Sequence, residues 1–165
     1  IILEAEKINS LHERVNKTFK NRNKKRTLWE KACKKFNTYI TVFSPILMKI
    51  YNEEYLSNQD IIEFTISYLE VDPMYFRSGY IKEEMLRKIK RTALNEKQKY
   101  RLRNVLYNAV EERASREYKG YCRLAHIVTD EAFNNWLANI VKNEKGSKKS
   151  RANLMLKQIS SHAST

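Results

Sequence analysis

Apolar residues recur along this chain at intervals of three and four, the period of helices that bury one face. Ile1, Ile8, Leu11, Val15 and Phe19 mark a first helix over residues 1–20, and the basic link NRNKKR (21–26) interrupts it. Thr27 can cap a second helix that carries Leu28, Trp29, Ala32, Cys33, Phe36, Tyr39, Ile40 and Phe43. Ser44-Pro45 opens a third, because proline fits a first turn. Ser57 or Asn58 caps a fourth holding Ile61, Ile62, Phe64, Ile66 and Leu69, which Asp72-Pro73 ends or redirects.

A fifth helix lies in YFRSGYIKEEMLRKIKR (75–91), where Ile81, Met85, Leu86 and Ile89 share one side. Asn95 caps a sixth, with Leu102, Val105, Leu106, Ala109 and Val110 in one stripe. A seventh, over about 115–128, gathers Tyr118, Tyr121, Cys122, Leu124, Ala125 and Val128 on one arc. Thr129 caps the eighth, whose stripe is Phe133, Trp136, Leu137, Ile140 and Val141. Residues 144–150 read as a solvated linker, RANLMLKQI as a short final helix, and SSHAST as a fraying end.

The expectation is therefore all-α: about eight helices in an irregular multi-helix bundle or a short HEAT-like stack of antiparallel helix pairs. One helical domain spans 1–143, and 144–165 forms a basic, partly flexible tail. Gly79-Tyr80 and Gly120-Tyr121 recur 41 residues apart, a spacing within the range of HEAT-type repeats.

Composition narrows the classes. Three glycines and two prolines leave little material for hairpin turns. No apolar run is long enough to span a membrane, and IILEAEK lacks the pattern of a secretion signal. Cys33 and Cys122 stand apart within apolar patterns, so they read as core thiols in a reducing cytoplasm. The net charge of +13 draws the chain toward polyanions. The plainer reading of that charge is solvation alone.

Much of the charge is already paired by spacing. Glu83 precedes Arg87, and Glu84 precedes Lys88, by the four residues that favour pairing. Arg77, Lys82, Lys90 and Arg91 then remain free in the fifth helix. Arg77-Ser78-Gly79 opens it either as a capped turn around Ser78 or as an anion-binding helix start.

The seventh helix carries a cleaner ridge. Arg116, Lys119, Arg123 and His126 follow at intervals of three, four and three, away from the apolar arc. Tyr100 and Tyr107 lie one heptad apart on the sixth helix, as base-stacking aromatics or as core. Lys17, Lys20 and Lys24 line the first helix. The segment from Lys49 to Arg77 has acids but no intervening cation.

No nucleotide loop, paired metal-ligand motif or nucleophile elbow is present. No Arg precedes a His at the spacing of HEPN-type endoribonucleases. The expected function is non-catalytic binding of RNA or DNA, without cofactor or metal, through phosphate contacts. Arg116, Lys119 and Arg123 lead, Arg77, Lys90 and Arg91 follow, and Tyr100 and Tyr107 stack bases. The alternative is a helical interaction scaffold that docks an acidic protein or a second copy of itself.

Overall fold

The computed structural model describes residues 1–52, 58–112 and 116–163. Among them run nine helices and no strand: α1 (Ile2–Phe19), α2 (Arg26–Asn37), α3 (Ser44–Tyr51), α4 (Gln59–Val71), α5 (Ser78–Ile89), α6 (Glu96–Glu112), α7 (Tyr118–Val128), α8 (Glu131–Asn143) and α9 (Gly146–Ala163). The all-helical expectation holds, and the ninth helix stands where the short final one was expected. None of these helices is long and apolar enough to cross a membrane.

Local chemistry sets several boundaries. Asn58 caps α4 by accepting from the N–H groups of Asp60 and Ile61. Asn95 and Gln98 cap α6 reciprocally, each side chain accepting from the other's backbone N–H at 2.9 and 3.1 Å. Pro45 sits in the first turn of α3. The cap of α8 is Asp130, which accepts from the Phe133 N–H at 2.8 Å. Thr129 falls one residue before it, and Thr27 lies within α2, two residues after its Lys25 cap.

The core centres on α7, which packs against α5, α6 and α9. Its buried side chains are Tyr118, Tyr121, Cys122, Leu124, Ala125 and Val128, the arc read from helical spacing. Burial pushes the Cys122 thiol up to about 12, so it is a protonated core group. Tyr107 packs edge-on against Phe133 and Trp136, with ring centroids 4.9 and 4.6 Å away.

The α1–α2 hairpin packs chiefly on itself. It joins the body through Asn9, which donates to the Met74 carbonyl, and through His12, whose ring stacks on Phe76 at 4.8 Å. His12 thus belongs to an aromatic cluster with Phe36 and Phe76.

The C-terminal segment departs most from its sequence pattern. In place of a linker and one short helix, α9 spans 18 residues and places Ala152, Met155 and Ile159 in the core. Arg151 explains the difference. Its buried guanidinium donates to the carbonyls of Val110 and Glu111 at 2.6 and 2.9 Å, near the end of α6. Tyr118 in turn donates from its hydroxyl to the Arg151 carbonyl. A residue that reads as solvated charge is a tie between three helices.

Candidate functional site

The site begins with two glycines. A Cβ on Gly120 of α7 would meet Leu86 Cδ1 at 3.0 Å and Cβ at 3.2 Å. A Cβ on Gly79 of α5 would lie 3.2 Å from Glu117 Oε2. The two Gly-Tyr steps therefore serve one crossing of α5 and the start of α7, where an added Cβ would press on the Leu86 and Glu117 side chains.

Beneath the crossing lies a buried ion cluster. Lys82 is fully buried, with Nζ 2.5 Å from Asp72 Oδ1 and 2.9 Å from Glu117 Oε1. Lys82 is thus not one of the free surface cations of α5. Asp72 reaches it from a left-handed backbone (φ 44°) just after α4, a conformation Asp tolerates better than most residues. Glu117 is only 4 % exposed and depends on Lys82 for charge compensation.

The helix start of α5 gains its anion from within the chain. Glu117 brings a carboxylate against Gly79 in the first turn, where the positive end of the helix dipole favours it. Ser78 is not the N-cap. It is the first helical residue, it is buried, and its hydroxyl accepts from the Tyr75 N–H at 3.2 Å. The capping position belongs to Arg77, in a left-handed conformation with no side-chain cap. Neither sequence reading of this start, Ser78 cap or external-anion site, describes that arrangement.

Above the crossing, one face of each helix lines a groove of about 150 Å³. From α5 come Glu83, Leu86, Arg87 and the following Lys90; from α7 and its preceding turn come Arg116, Lys119, Gly120 and Arg123. Five cations therefore face one another across a floor of Leu86 and Gly120, with one carboxylate among them. Glu84, not Glu83, pairs with Arg87, through two hydrogen bonds at 2.9 and 2.5 Å. Glu83 crosses the groove to Arg116 at 3.2 Å. Among the described residues, Lys90, Lys119 and Arg123 carry no ion pair.

At the side of this groove, Arg116 lies over the Tyr80 ring, 4.0 Å from its centroid. Tyr80 also lines a neighbouring open recess of about 540 Å³ with Tyr51, Arg77 and Ile81. Near Lys90, the His126 ring of α7 stacks on His162 of α9 at 4.2 Å. Burial, then the nearby charges of His162 and Lys90, hold His126 below the usual imidazole value, while the Arg123 carbonyl pulls it the other way.

Comparison with protein-family models, curated proteins and solved structures finds no match to this chain.

Of the eight residues singled out by sequence, the structure gathers Arg116, Lys119, Arg123 and Lys90 in the groove and sets Arg77 in the adjoining recess. Arg91 is exposed just beyond Lys90 but does not line the groove. Tyr100 and Tyr107 do not line it either. Tyr100 is exposed on α6, while Tyr107 is half-buried in the Phe133–Trp136 cluster. The tyrosines beside it are Tyr80 and Tyr51, which line the neighbouring recess. Tyr80 was legible: it shares an α5 face with Glu83, Arg87 and Lys90 at intervals of three, four and three.

Among the described residues, three of the four acids between Lys49 and Arg77 are engaged internally. Arg101 of α6 bridges Glu63 and Glu70 of α4 at 2.5 and 2.6 Å, and Asp72 holds Lys82. Glu53 and Glu54 lie outside the described residues. Among the described residues, no group of three or more His, Cys, Asp or Glu is placed to hold a metal ion.

Proposed function

We propose that this protein is a non-catalytic nucleic-acid-binding module that grips the phosphate backbone in the α5–α7 groove. The observation that carries this reading is the convergence of Arg87, Lys90, Arg116, Lys119 and Arg123 on one concave surface with a single facing carboxylate. Cations on two helices flank a backbone from both sides, and the apolar floor brings the ligand close to them. Lys119 and Arg123 stand about one helical turn apart, so each meets a separate phosphate. Each contact releases counterions and adds to the salt dependence of binding.

The internal pairing of Glu63, Glu70 and Asp72 favours this reading over a self-associating scaffold, because it removes acids that a basic face of a second copy would seek.

The test is fluorescence anisotropy of labelled single-stranded RNA, single-stranded DNA and duplex DNA over a salt series. The expected result is binding at about micromolar Kd near physiological salt, weakened at least tenfold by Lys119→Glu with Arg123→Glu. Equal affinity in wild type and variant would refute the groove as the binding surface. Reversible self-assembly without nucleic acid, abolished by salt, would support the scaffold instead.

A further inference from the structure

We propose, resting on the groove reading above, that the ligand is single-stranded nucleic acid and that one of its bases leaves the strand to stack on Tyr80, in the recess shared with Tyr51 and Arg77. Two observations converge on this. Tyr80 and Tyr51 are 54 % and 48 % exposed, and both line the recess. Aromatic rings that open to solvent beside cations are surfaces on which a base can stack whatever its identity. Arg116 links the recess to the groove, since it lines the groove and lies over one face of the Tyr80 ring, 4.0 Å from its centroid. A backbone held by Arg116, Lys119 and Arg123 therefore delivers its end nucleotide to Tyr80.

A duplex cannot use this arrangement. Its bases are paired and stacked inside, and the recess is reached only by a base swung out of the stack. A single strand exposes its bases without that loss. Arg116 serves both parts of the site: its guanidinium stacks on the ring, and its edge faces the groove and Glu83. Displacement of Glu83 by a phosphate leaves the cation in place, so Glu83 excludes ligands with too little charge to compete. Arg77 at the recess mouth adds a cation for the phosphate on the far side of the stacked base. The ligand class is thus a single strand of RNA or DNA, read by backbone charge and one sequence-tolerant stack.

The experiment compares three probes of equal phosphate number: a short single-stranded RNA, the same strand made abasic, and a duplex. Each is titrated by anisotropy against wild type, Tyr80→Leu, Tyr51→Leu and Lys119→Glu/Arg123→Glu, with circular dichroism melting as the check on folding. Wild type is expected to bind the single strand tighter than the abasic strand and the duplex. Tyr80→Leu should weaken the intact strand about tenfold and leave the abasic strand and the salt slope unchanged. Tyr51→Leu should act in the same sense with a smaller effect, and the groove variant should weaken all three probes. No selective loss on the intact strand in either tyrosine variant would overturn the stacked base while leaving the groove reading intact. Absence of wild-type binding to every probe at physiological salt would overturn both.

Discussion

Between residues 7 and 35 the α1–α2 hairpin holds eleven Lys or Arg, more than twice the five that line the α5–α7 groove. The two regions use that charge differently. In the hairpin, only Glu4, Ala5, Ile8 and Ala32 are buried. Its ion pairs, Glu13–Lys17 and Arg26–Glu30, join neighbours four residues apart on largely exposed side chains. Such pairs contribute at most about 0.5 kcal/mol, and they leave the cations free to sample solvent. At the α5–α7 crossing, cations from two helices converge over a floor set by Gly120 and Leu86 and underlaid by the Lys82 cluster. On the proposed reading, charge density alone draws a chain toward polyanions, and packing decides which charges are held in place for one.

The largest effect should come from breaking that foundation. Lys82→Met leaves the Glu117 carboxylate buried without its partner and should destabilise the protein by about 3–5 kcal/mol in urea unfolding. Adding Glu117→Leu to it should recover a large part of the loss. In the hairpin, Lys24→Met should change stability by less than about 0.5 kcal/mol.

Next comes the crossing itself. Gly120→Val drives a branched side chain into Leu86 and should cost roughly 1–3 kcal/mol. It should also weaken oligonucleotide binding, since α5 and α7 must separate to fit it. Unchanged stability would mean the close approach is not required.

A smaller effect concerns pH. Because His126 is held below the usual imidazole value, the unfolded chain binds a proton more readily than the folded one. Stability should therefore fall as pH drops below about 6.5, and His126→Gln should flatten that slope. Glu63 acts in a lower window. Its hydrogen bond from Gln98, then Arg101, working against burial, hold its carboxyl below the usual range, so its contribution is lost only through acid pH. Urea unfolding at a series of pH values separates the two.

The elements most legible in the sequence are those whose burial is one-sided. The stripes of α6, α7 and α8 and the cap at Asn95 follow from spacing and side-chain chemistry alone, and the α4 cap does so to within one residue, Ser57 or Asn58. Lys82 was not legible, because its partners stand ten residues before it and thirty-five after it. A lysine on a helix reads as solvated until folding brings two carboxylates to it. Arg151 hid α9 in the same way, since its acceptors are carbonyls of another helix. Half of the candidate site was visible as the ridge on α7. Of the facing half, Lys90 was read as a free cation, whereas Arg87 was set aside because Glu83 stands four residues before it; in the fold Glu84 takes Arg87 and Glu83 turns to Arg116.

The deciding question is whether the groove, rather than the more basic hairpin, meets the phosphates. The direct measurement is the slope of log Kd against log salt for a labelled single strand, in wild type, Lys119→Glu/Arg123→Glu and Lys24→Glu/Lys25→Glu. Loss of two phosphate contacts should lower the slope by about 1.4 in the groove variant, at roughly 0.7 per contact for single strands, and leave the hairpin variant near wild type. A slope that falls in the hairpin variant and stays at the wild-type value in the groove variant would contradict the account.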